Sequence, residues 1–239
     1  MMRVVVTAGP TREHLDPVRF LSNPSTGKMG FAIAAEAARR GHEVTLIAGP
    51  VSLKTPKGVE RVDVVSAREM LERTRQSLFA SRCCDCSSEH RSIRPSEQRR
   101  NLTVFISTAA VADWRPAKCA TKKLKKAQMS GMLKLVRNPD ILKTVNRTIK
   151  QSNNPNNRTI RLVGFAAETD HVFQEAARKC REKGLEFIVA NDVTQKGSGF
   201  GTDTNKMTFV FPDGTLRKFP LMTKRLVARR ILEEIENEK

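Results

Sequence analysis

The order of apolar and polar segments predicts an α/β protein with a mostly parallel central sheet between two layers of helices. Short apolar runs alternate with amphipathic segments along most of the 239 residues, which is typical of parallel strands joined by crossover helices. Near the C-terminus, two apolar runs flank Pro212-Asp213-Gly214, which indicates a β-hairpin. We therefore predict a Rossmann-like three-layer sandwich with a small antiparallel β addition near the C-terminus.

The first strand and the loop after it form the most distinctive stretch. Residues 4–6 are valines and lead into Gly9-Pro10, so a buried strand is expected to end there. A long polar loop then runs through residues 23–30, NPSTGKMG, into a helix predicted at residues 27–40. Loop glycines and the free N–H groups of a first helical turn can hold an anion. The spacing fits neither a P-loop nor the tight GxGxxG turn, and a glycine-rich helix start without a ligand has the same pattern.

The other elements follow from periodicity and punctuation. The later strands are predicted at residues 43–48, 61–65, 103–108, 131–136, 162–167 and 186–190, with the hairpin over 207–220. The later helices are predicted at 67–78, from Asn138-Pro139-Asp140 onward, at 170–183 and at 223–236. Ser66 and Glu69 form a candidate capping box, and Leu226, Ile231 and Ile235 are expected to face the core. We expect one domain over residues 1–239, with surface insertions at about 76–101 and 146–160.

The formal net charge of +18 favours a polyanionic partner, although a generally basic surface and an Arg-rich insertion would also account for it. The chain has one Trp and no Tyr, and no basic run is interleaved with aromatic residues for stacking on bases. We therefore expect small polyanions as ligands and no nucleic acid. The absence of Tyr also excludes the Tyr-x-x-x-Lys pair of a short-chain dehydrogenase.

No run approaches the ~18 apolar residues that would span a membrane, so we expect no membrane segment. Because Met1-Met2-Arg3 leads directly into the first strand, we also expect no signal peptide. The five cysteines do not form the framework of a secreted protein, and we expect a cytoplasmic protein with reduced thiols. Cys83, Cys84, Cys86 and His90 lack the usual spacing of a zinc site, so a surface loop is the preferred interpretation.

Small and polar residues follow the strands predicted at 103–108 and 162–167, at the C-terminal ends of these strands. Open α/β sheets bind their ligands at the edge formed by the C-terminal ends of the parallel strands. Asp113 is expected just outside the edge, either as a ligand-binding carboxylate or as a loop cap. Residues 118–126 are densely cationic. They are either a solvated face or a lid that closes over a bound anion.

Several motifs occur in a fixed order along the chain. They are Thr7-Ala8-Gly9-Pro10-Thr11-Arg12, Asp16-Pro17-Val18-Arg19-Phe20, Ser22-Asn23, Ser25-Thr26-Gly27-Lys28-Met29-Gly30, Ala109-Ala110-Val111-Ala112-Asp113, Asn138-Pro139-Asp140-Ile141-Leu142, Val163-Gly164-Phe165-Ala166-Ala167-Glu168-Thr169 and Ala190-Asn191-Asp192-Val193. With them the chain resembles phosphopantothenoylcysteine synthetase, the ligase half of the bacterial bifunctional coenzyme A protein. The resemblance covers nearly the whole chain apart from the two insertions. Thr26 and Trp114 stand where the family often has Ser and Tyr.

The resemblance implies a ligase that joins 4'-phosphopantothenate to cysteine. CTP, with Mg2+, would activate the pantothenate carboxylate as an acyl-cytidylate and release pyrophosphate, and the cysteine amine would then displace CMP. It further implies a homodimer whose sites are completed across the interface, and a separate phosphopantothenoylcysteine decarboxylase as a candidate partner. Because the decarboxylase half is not part of this sequence, we expect no flavin.

The resemblance also implies residue roles. The catalytic candidates are Lys123, which would clamp the triphosphate from a flexible loop, and Asn23, which would orient the acyl intermediate; a one-residue slip would make Lys122 the functional lysine. The nucleotide-binding candidates are Gly9, Ser25, Gly27, Gly30, Ser107, Thr108, Ala109, Asp113, Lys123, Pro139, Asp140, Ile141, Leu142, Phe165, Lys179 and Lys183. The substrate-binding candidates are Arg19, Asn23, Ala109, Ala110 and Asp113, with Arg19 reaching the neighbouring subunit's substrate. The metal ligands and the role of Asn191-Asp192 stay open.

Two other functions compete with the ligase. One is an NAD(P)-dependent Rossmann oxidoreductase that uses the same sheet edge, against which stand the missing Tyr and the missing GxGxxG. The other is a basic nucleic-acid-binding protein without catalysis, which salt-dependent RNA binding would support. Within the ligase interpretation, the choice of CTP over ATP rests on a few backbone contacts in loops.

Overall fold

A computed structural model describes residues 1–79, 102–125, 131–154, 159–168, 172–192 and 201–237. The strands are β1 (Arg3–Ala8), β2 (Arg12–His14), β3 (Phe20–Ser22), β4 (Glu43–Ala48), β5 (Val59–Asp63), β6 (Thr103–Ser107), β7 (Trp114–Pro116), β8 (Leu135–Arg137), β9 (Ile160–Glu168), β10 (Phe187–Asp192), β11 (Thr204–Asn205), β12 (Met207–Val210), β13 (Leu216–Lys218) and β14 (Met222–Thr223). The helices are α1 (Lys28–Arg39), α2 (Ala67–Phe79), α3 (Ile141–Gln151), α4 (Val172–Lys183) and α5 (Lys224–Asn237).

The central sheet has eight strands in the order β13-β12-β10-β9-β6-β1-β4-β5. The six from β10 to β5 pair in parallel, whereas β12 and β13 add as an antiparallel hairpin. Numbered along the chain, the parallel strands have the order 3-2-1-4-5-6 of a doubly wound sheet. Its switch point lies between β1 and β6, where such sheets bind ligands. The predicted fold class is confirmed, including the antiparallel addition.

The first strand is buried on both faces, which explains its unbroken run of valines. Val4 and Val6 pack into a core with apolar side chains of α1 and α5. Val5 points to the opposite face and packs into a second core with Phe105 and side chains of α2, α3 and α4. Complete burial of each valine stabilises the fold by roughly 1.5 to 3 kcal/mol. The two cores produce the predicted helix–sheet–helix layers.

Two small ribbons depart from the predicted element order. Strands β2 and β3 pair inside the long loop after β1, where only loop was expected. The strand expected at 131–136 lies at Leu135–Arg137 and pairs with Trp114–Pro116 outside the central sheet. Both ribbons consist of three-residue strands, which are too short to produce an alternating pattern.

One strand boundary and one core residue also need correction. Strand β5 begins at Val59 rather than at residue 61. Leu226 is 38% exposed, so its expected inward orientation is wrong. Val227 faces the core instead, together with Ile231 and Ile235, because α5 presents a buried stripe at spacings of four.

The expected insertions coincide partly with helices. Residues 76–79 are the end of α2, and residues 146–151 belong to α3. The cluster of Cys83, Cys84, Cys86 and His90 lies outside the described residues. Within the described part of the chain, no group of three His, Cys, Asp or Glu side chains could hold a metal ion, and no helix is long and apolar enough to cross a membrane.

Candidate functional site

A cavity opens at the carboxyl edge of the central sheet, beside the switch point. Its walls come from the start of α1, the loop after β6, the ends of β9 and β10, and the residues around α5. The lining residues are Ser25, Thr26, Gly27, Lys28, Met29, Gly30, Thr108, Ala109, Ala110, Phe165, Ala166, Asn191, Asn205 and Lys224. The structure thus brings together Ser25, Gly27, Gly30, Thr108, Ala109, Ala110 and Phe165 from the predicted set.

The start of α1 has the properties of an anion site. Gly27 is the N-cap residue with φ of 76° and has no side chain to cap the helix, and the first turn contains no acidic residue. The first-turn residues Lys28, Met29 and Gly30 line the cavity. Backbone N–H groups of such a turn lack intrahelical acceptors and carry the positive end of the helix dipole. A phosphate or carboxylate in the cavity would accept hydrogen bonds from these N–H groups.

The glycines mainly allow close packing of the helix start on the sheet. A Cβ atom on Gly30 would lie 2.5 Å from both Ala8 Cβ and Thr108 Oγ1, so a larger residue would push α1 away from β1. A Cβ on Gly27 would lie 3.3 Å from the Cα of Gly9. Gly9 therefore packs against Gly27 on the side away from the cavity. It is not among the cavity-lining residues.

The loops after β1 and β6 are joined by hydrogen bonds beyond the end of the sheet. The Ala110 amide donates to the Gly9 carbonyl at 2.9 Å, and Thr108 Oγ1 donates to the Thr7 carbonyl at 2.7 Å. Asn23 Nδ2 lies 3.2 Å from the carbonyl oxygens of both Ala110 and Val111. Asn23 therefore lies at the junction of the two loops.

The cationic loop is attached to the β2–β3 ribbon by a buried carboxylate. Asp16 Oδ2 accepts a hydrogen bond from the Leu124 amide at 3.2 Å. Arg19 donates to Asp16 at 2.5 Å and to the Leu124 carbonyl at 2.9 Å. The Arg19 hydrogen bonds hold the pKa of Asp16 well below its usual range. Lys122 and Lys123 are exposed and do not belong to the cavity lining.

A second group of predicted nucleotide-binding residues gathers at the start of α3. Asp140 is the N-cap residue and accepts from the Lys143 amide at 2.9 Å. Lys183 Nζ lies 2.8 Å from Asp140 Oδ2, and Lys179 lies one turn earlier on α4. Ile141 and Leu142 point into the core. This group lies outside the cavity lining, and so does the half-buried Pro139.

Two further predicted residues, Ser107 and Asp113, lie outside the cavity lining. Ser107 is the last residue of β6 and pairs in register with Thr7 and Gly164. Asp113 is exposed, and its carbonyl accepts from the Asn138 amide at 2.8 Å. These contacts keep the start of β7 next to the start of α3.

Sequence reasoning missed the two lysines of the cavity. Lys28 lies within a quoted motif, and its position after Gly27 at a helix start could have indicated it. Lys224 begins α5, far along the chain, and no local pattern distinguishes it from a surface lysine. Asn205, in the short strand β11, was missed for the same reason.

The fold and the cavity define a doubly wound α/β protein with a candidate anion site at the carboxyl edge of its sheet. The chain belongs to the family described as the DNA/pantothenate metabolism flavoprotein C-terminal domain, whose model matches residues 1–85 and 87–238.

Individual relatives agree with this assignment. The chain is 44% identical over 237 residues to the coenzyme A biosynthesis bifunctional protein CoaBC of Escherichia coli strain K12, covering 98% of this chain and 51% of that protein. It is 43% identical over 233 residues to the protein of the same name from Bacillus subtilis strain 168, covering 97% of this chain and 50% of the relative. The chain thus spans about half the length of the curated relatives it matches.

A crystal structure of the C-terminal domain of a coenzyme A biosynthesis bifunctional protein CoaBC superposes with a TM-score of 0.72 and 39% identity. The match covers 98% of this chain and 93% of that one. The similarity therefore extends over nearly all of that domain.

Proposed function

We propose that the protein is a phosphopantothenate–cysteine ligase of coenzyme A biosynthesis, which uses CTP through an acyl-cytidylate. The observation that carries the proposal is the 44% identity to a coenzyme A biosynthesis protein across 98% of the chain. The cavity beside the switch point supports it, because the uncapped start of α1 suits a phosphorylated ligand.

The first step brings two negatively charged groups together. The carboxylate of 4'-phosphopantothenate attacks the α-phosphorus of CTP, the bond between the α- and β-phosphates breaks, and pyrophosphate leaves with the electron pair. Two unit charges 4 Å apart repel by about 4 kcal/mol at the effective dielectric of a protein surface. The α1 amides and Lys123 would offset this repulsion, and Lys123 would do so after its loop moves over the cavity.

Magnesium fits this proposal as a companion of the nucleotide. Mg2+ is usually held by one or two carboxylates together with phosphates and water. A preformed cluster of protein ligands is therefore not required, and the described residues contain no such cluster. When bound, Mg2+ would neutralise charge on the triphosphate.

The second step transfers the acyl group to cysteine. The cysteine amine attacks the acyl carbon, an amide bond forms, and CMP leaves with the electron pair of the broken acyl–oxygen bond. Asn23 holds the loops after β1 and β6 together through Ala110 and Val111. It would orient the acyl intermediate from that junction.

We also propose a homodimer. The β2–β3 and β7–β8 ribbons contact each other through β2 and β7, and they expose Val18, Phe20, Trp114, Leu133 and Leu135. Exposed apolar clusters of this kind are typical of interfaces. Arg19 lies in this region, beside the residues that would face a partner. Sedimentation should show a dimer that Val18→Asp dissociates, and a monomeric wild type would contradict the proposal.

The relatives are bifunctional, so a phosphopantothenoylcysteine decarboxylase would act next on the product. We propose that this activity is supplied by a separate protein or segment. Adding a purified decarboxylase should convert the accumulated product and release CO2. Product that persists unchanged would contradict this order of reactions.

The ligase is tested by pyrophosphate release from purified protein with 4'-phosphopantothenate, magnesium and either CTP or ATP, with and without cysteine. We expect release that requires phosphopantothenate and is faster with CTP. Faster release with ATP would show that ATP, not CTP, is the nucleotide substrate, while the ligase reaction itself would stand. No release with either nucleotide, from folded protein, would contradict the ligase. NADPH oxidation or salt-dependent RNA binding would then support the alternatives.

A further inference from the structure

The cavity has two lysines in its wall that belong to different helices. Lys28 is the first residue of α1, and Lys224 is the first residue of α5. Lys224 is only 8% exposed although it carries an ammonium group. Charged side chains are rarely buried to this extent unless they are paired or serve a ligand.

Residues 201–203 hold both ammonium groups. Lys224 Nζ donates to the Thr202 carbonyl at 2.6 Å. Lys28 Nζ donates to the Gly201 carbonyl at 3.1 Å and to Asp203 Oδ1 at 2.7 Å. The buried lysine, Lys224, therefore donates to a neutral carbonyl, whereas the carboxylate accepts from the more exposed lysine, Lys28.

The group formed by Lys28, Lys224 and Asp203 carries more positive than negative charge. Burial lowers the pKa of Lys224, the positive charge of Lys28 lowers it further, and Asp203 acts in the opposite direction. Within the described part of the chain, these two ammonium groups thus share the Asp203 carboxylate. An anion placed between them would remove the repulsion and would also meet the positive end of the α1 dipole.

The ion pair that covers the site can open easily. The Asp203 side chain is 85% exposed, and that of Lys28 is 34% exposed. Exposed ion pairs of this kind contribute little to stability, because solvent screens them. A phosphate oxygen could therefore replace the Asp203 carboxylate on Lys28 at small cost, and Asp203 would turn into solvent.

The same two lysines line a neighbouring cavity. Its charged lining residues are Lys28, Lys54, Lys224, Arg225 and Asp203, and it also includes Phe31, Leu53, Pro56 and Thr223. The lysine pair thus lies between the cavity at the start of α1 and a second cavity with a basic wall. An anion held by the pair has an electrostatically favourable path to solvent on that side.

We infer that Lys28 and Lys224 bind the β- and γ-phosphates of the nucleotide and the pyrophosphate that leaves, and that Asp203 occupies this position in the free protein. The inference rests on the proposed function, since it assigns residues to the polyphosphate of that reaction. When the bond between the α- and β-phosphates breaks, the electron pair stays on the β-phosphate oxygen. Lys224 then stabilises the growing charge of the leaving group.

The test uses the full chain with inorganic pyrophosphate as the probe. Lys224→Met and Lys28→Met should each raise the Kd for pyrophosphate about tenfold, the effect of losing one charge-assisted hydrogen bond. Lys224→Arg should recover part of the affinity. Asp203→Asn should lower the Kd, because it removes the competing carboxylate. Lys150→Met, an exposed lysine on α3, is the matched control and should match the wild type.

The kinetic arm separates this inference from the ligase itself. In an active wild type, the two Lys→Met variants should raise the KM for CTP and leave the KM for phosphopantothenate within about twofold. If the wild type turns over and both variants keep its Kd for pyrophosphate and its KM for CTP, the inference is wrong while the ligase stands. If the wild type binds pyrophosphate through these lysines but makes no product, the site is supported and the ligase is contradicted. Lys28→Met keeps the test decisive if Lys224→Met fails to fold.

Discussion

The buried Asp16 carboxylate accepts a hydrogen bond from the Leu124 amide, 108 positions along the chain, at 3.2 Å. The same carboxylate accepts from the Val18 and Arg19 amides at 2.9 and 2.8 Å. It therefore joins the turn of the β2–β3 ribbon to the base of the loop that carries Lys122 and Lys123. Asp16 therefore anchors the backbone at Leu124, directly after the two lysines.

Replacing Asp16 should loosen the cationic loop. We expect Asp16→Asn to lower stability by about 2 kcal/mol, because Arg19 loses its charged partner, and to speed tryptic cleavage after Lys122 or Lys123. Urea unfolding and timed proteolysis measure the two effects. Asp63→Asn is the control, since Asp63 also pairs with an arginine, Arg61, but its own carboxylate is exposed. Cleavage at the wild-type rate in Asp16→Asn would show that the carboxylate does not hold the loop.

The two exposed lysines of this loop can be distinguished by rate. Lys123→Ala should lower kcat by roughly 100-fold or more and leave the Tm near that of the wild type, because its side chain is exposed. Lys122→Ala is the matched control and should stay near wild-type kcat. The reverse pattern would assign the role to Lys122, and normal rates in both variants would remove the loop from the mechanism.

Asn23 should affect the second half-reaction more than the first. In Asn23→Ala we expect pyrophosphate release to continue while the amide product forms at least about tenfold more slowly. Its two hydrogen bonds are exposed, so the loss of stability should be below about 1 kcal/mol. Rapid quenching with quantification of acyl-cytidylate and product tests this. Equal rates of pyrophosphate and product formation would contradict the role.

Gly30 should tolerate no larger residue. Its missing Cβ would lie 2.5 Å from Ala8 Cβ, so Gly30→Ala should destabilise the protein by about 1 to 3 kcal/mol through overpacking. Helix propensity alone predicts the opposite sign, a gain of about 1 kcal/mol. Ala35→Gly, at an exposed position of α1, calibrates propensity in the same helix. Stabilisation by Gly30→Ala in urea unfolding would show that the helix start has room.

The acid stability of the protein should depend on Glu36, a buried carboxylate of α1. Hydrogen bonds from Arg39 and then Arg40 outweigh desolvation and lower the pKa of Glu36 to about 2 from 4.5. Because the folded pKa is lowered, its stabilisation is complete above about pH 5 and is lost as the pH falls towards 2.

After allowance for solvent screening, we expect this contribution to be roughly 2 kcal/mol. Glu36→Gln should therefore flatten the loss of stability between about pH 5 and pH 2. Urea unfolding across this range measures it, with the exposed Glu72→Gln as control. An acid limb identical to that of the wild type would contradict the assignment.

The sequence predicted those parts of the fold that local patterns determine. The valine run of β1 and the glycine-rich loop that leads into α1 are local signals, and both elements lie close to where they were expected. At the start of α2, Ser66 Oγ accepts from the Glu69 amide at 3.2 Å, as predicted. The Glu69 carboxylate accepts from the Val65 amide at 2.9 Å and from Ser66 Oγ at 3.0 Å, whereas the capping-box pattern predicts the Ser66 amide as its donor.

What the sequence did not predict depends on contacts between distant segments. The three-residue strands of the β2–β3 and β7–β8 ribbons are too short for a periodic signal, and the two ribbons contact each other through β2 and β7. Lys224 reaches the cavity only because α5 packs beside α1. The anion site around Gly27 and Gly30, in contrast, could be predicted from the sequence, because the loop and the helix start that form it are contiguous in the chain.

The path of an oxygen atom tests the acyl-cytidylate most directly. The enzyme is supplied with CTP, cysteine and 4'-phosphopantothenate whose carboxylate oxygens carry a heavy isotope, and the products are analysed by mass spectrometry. Attack on the α-phosphorus predicts that one labelled oxygen per turnover appears in CMP and none in pyrophosphate. Label in inorganic phosphate, with CDP as the nucleotide product, would contradict the acyl-cytidylate and indicate an acyl phosphate instead.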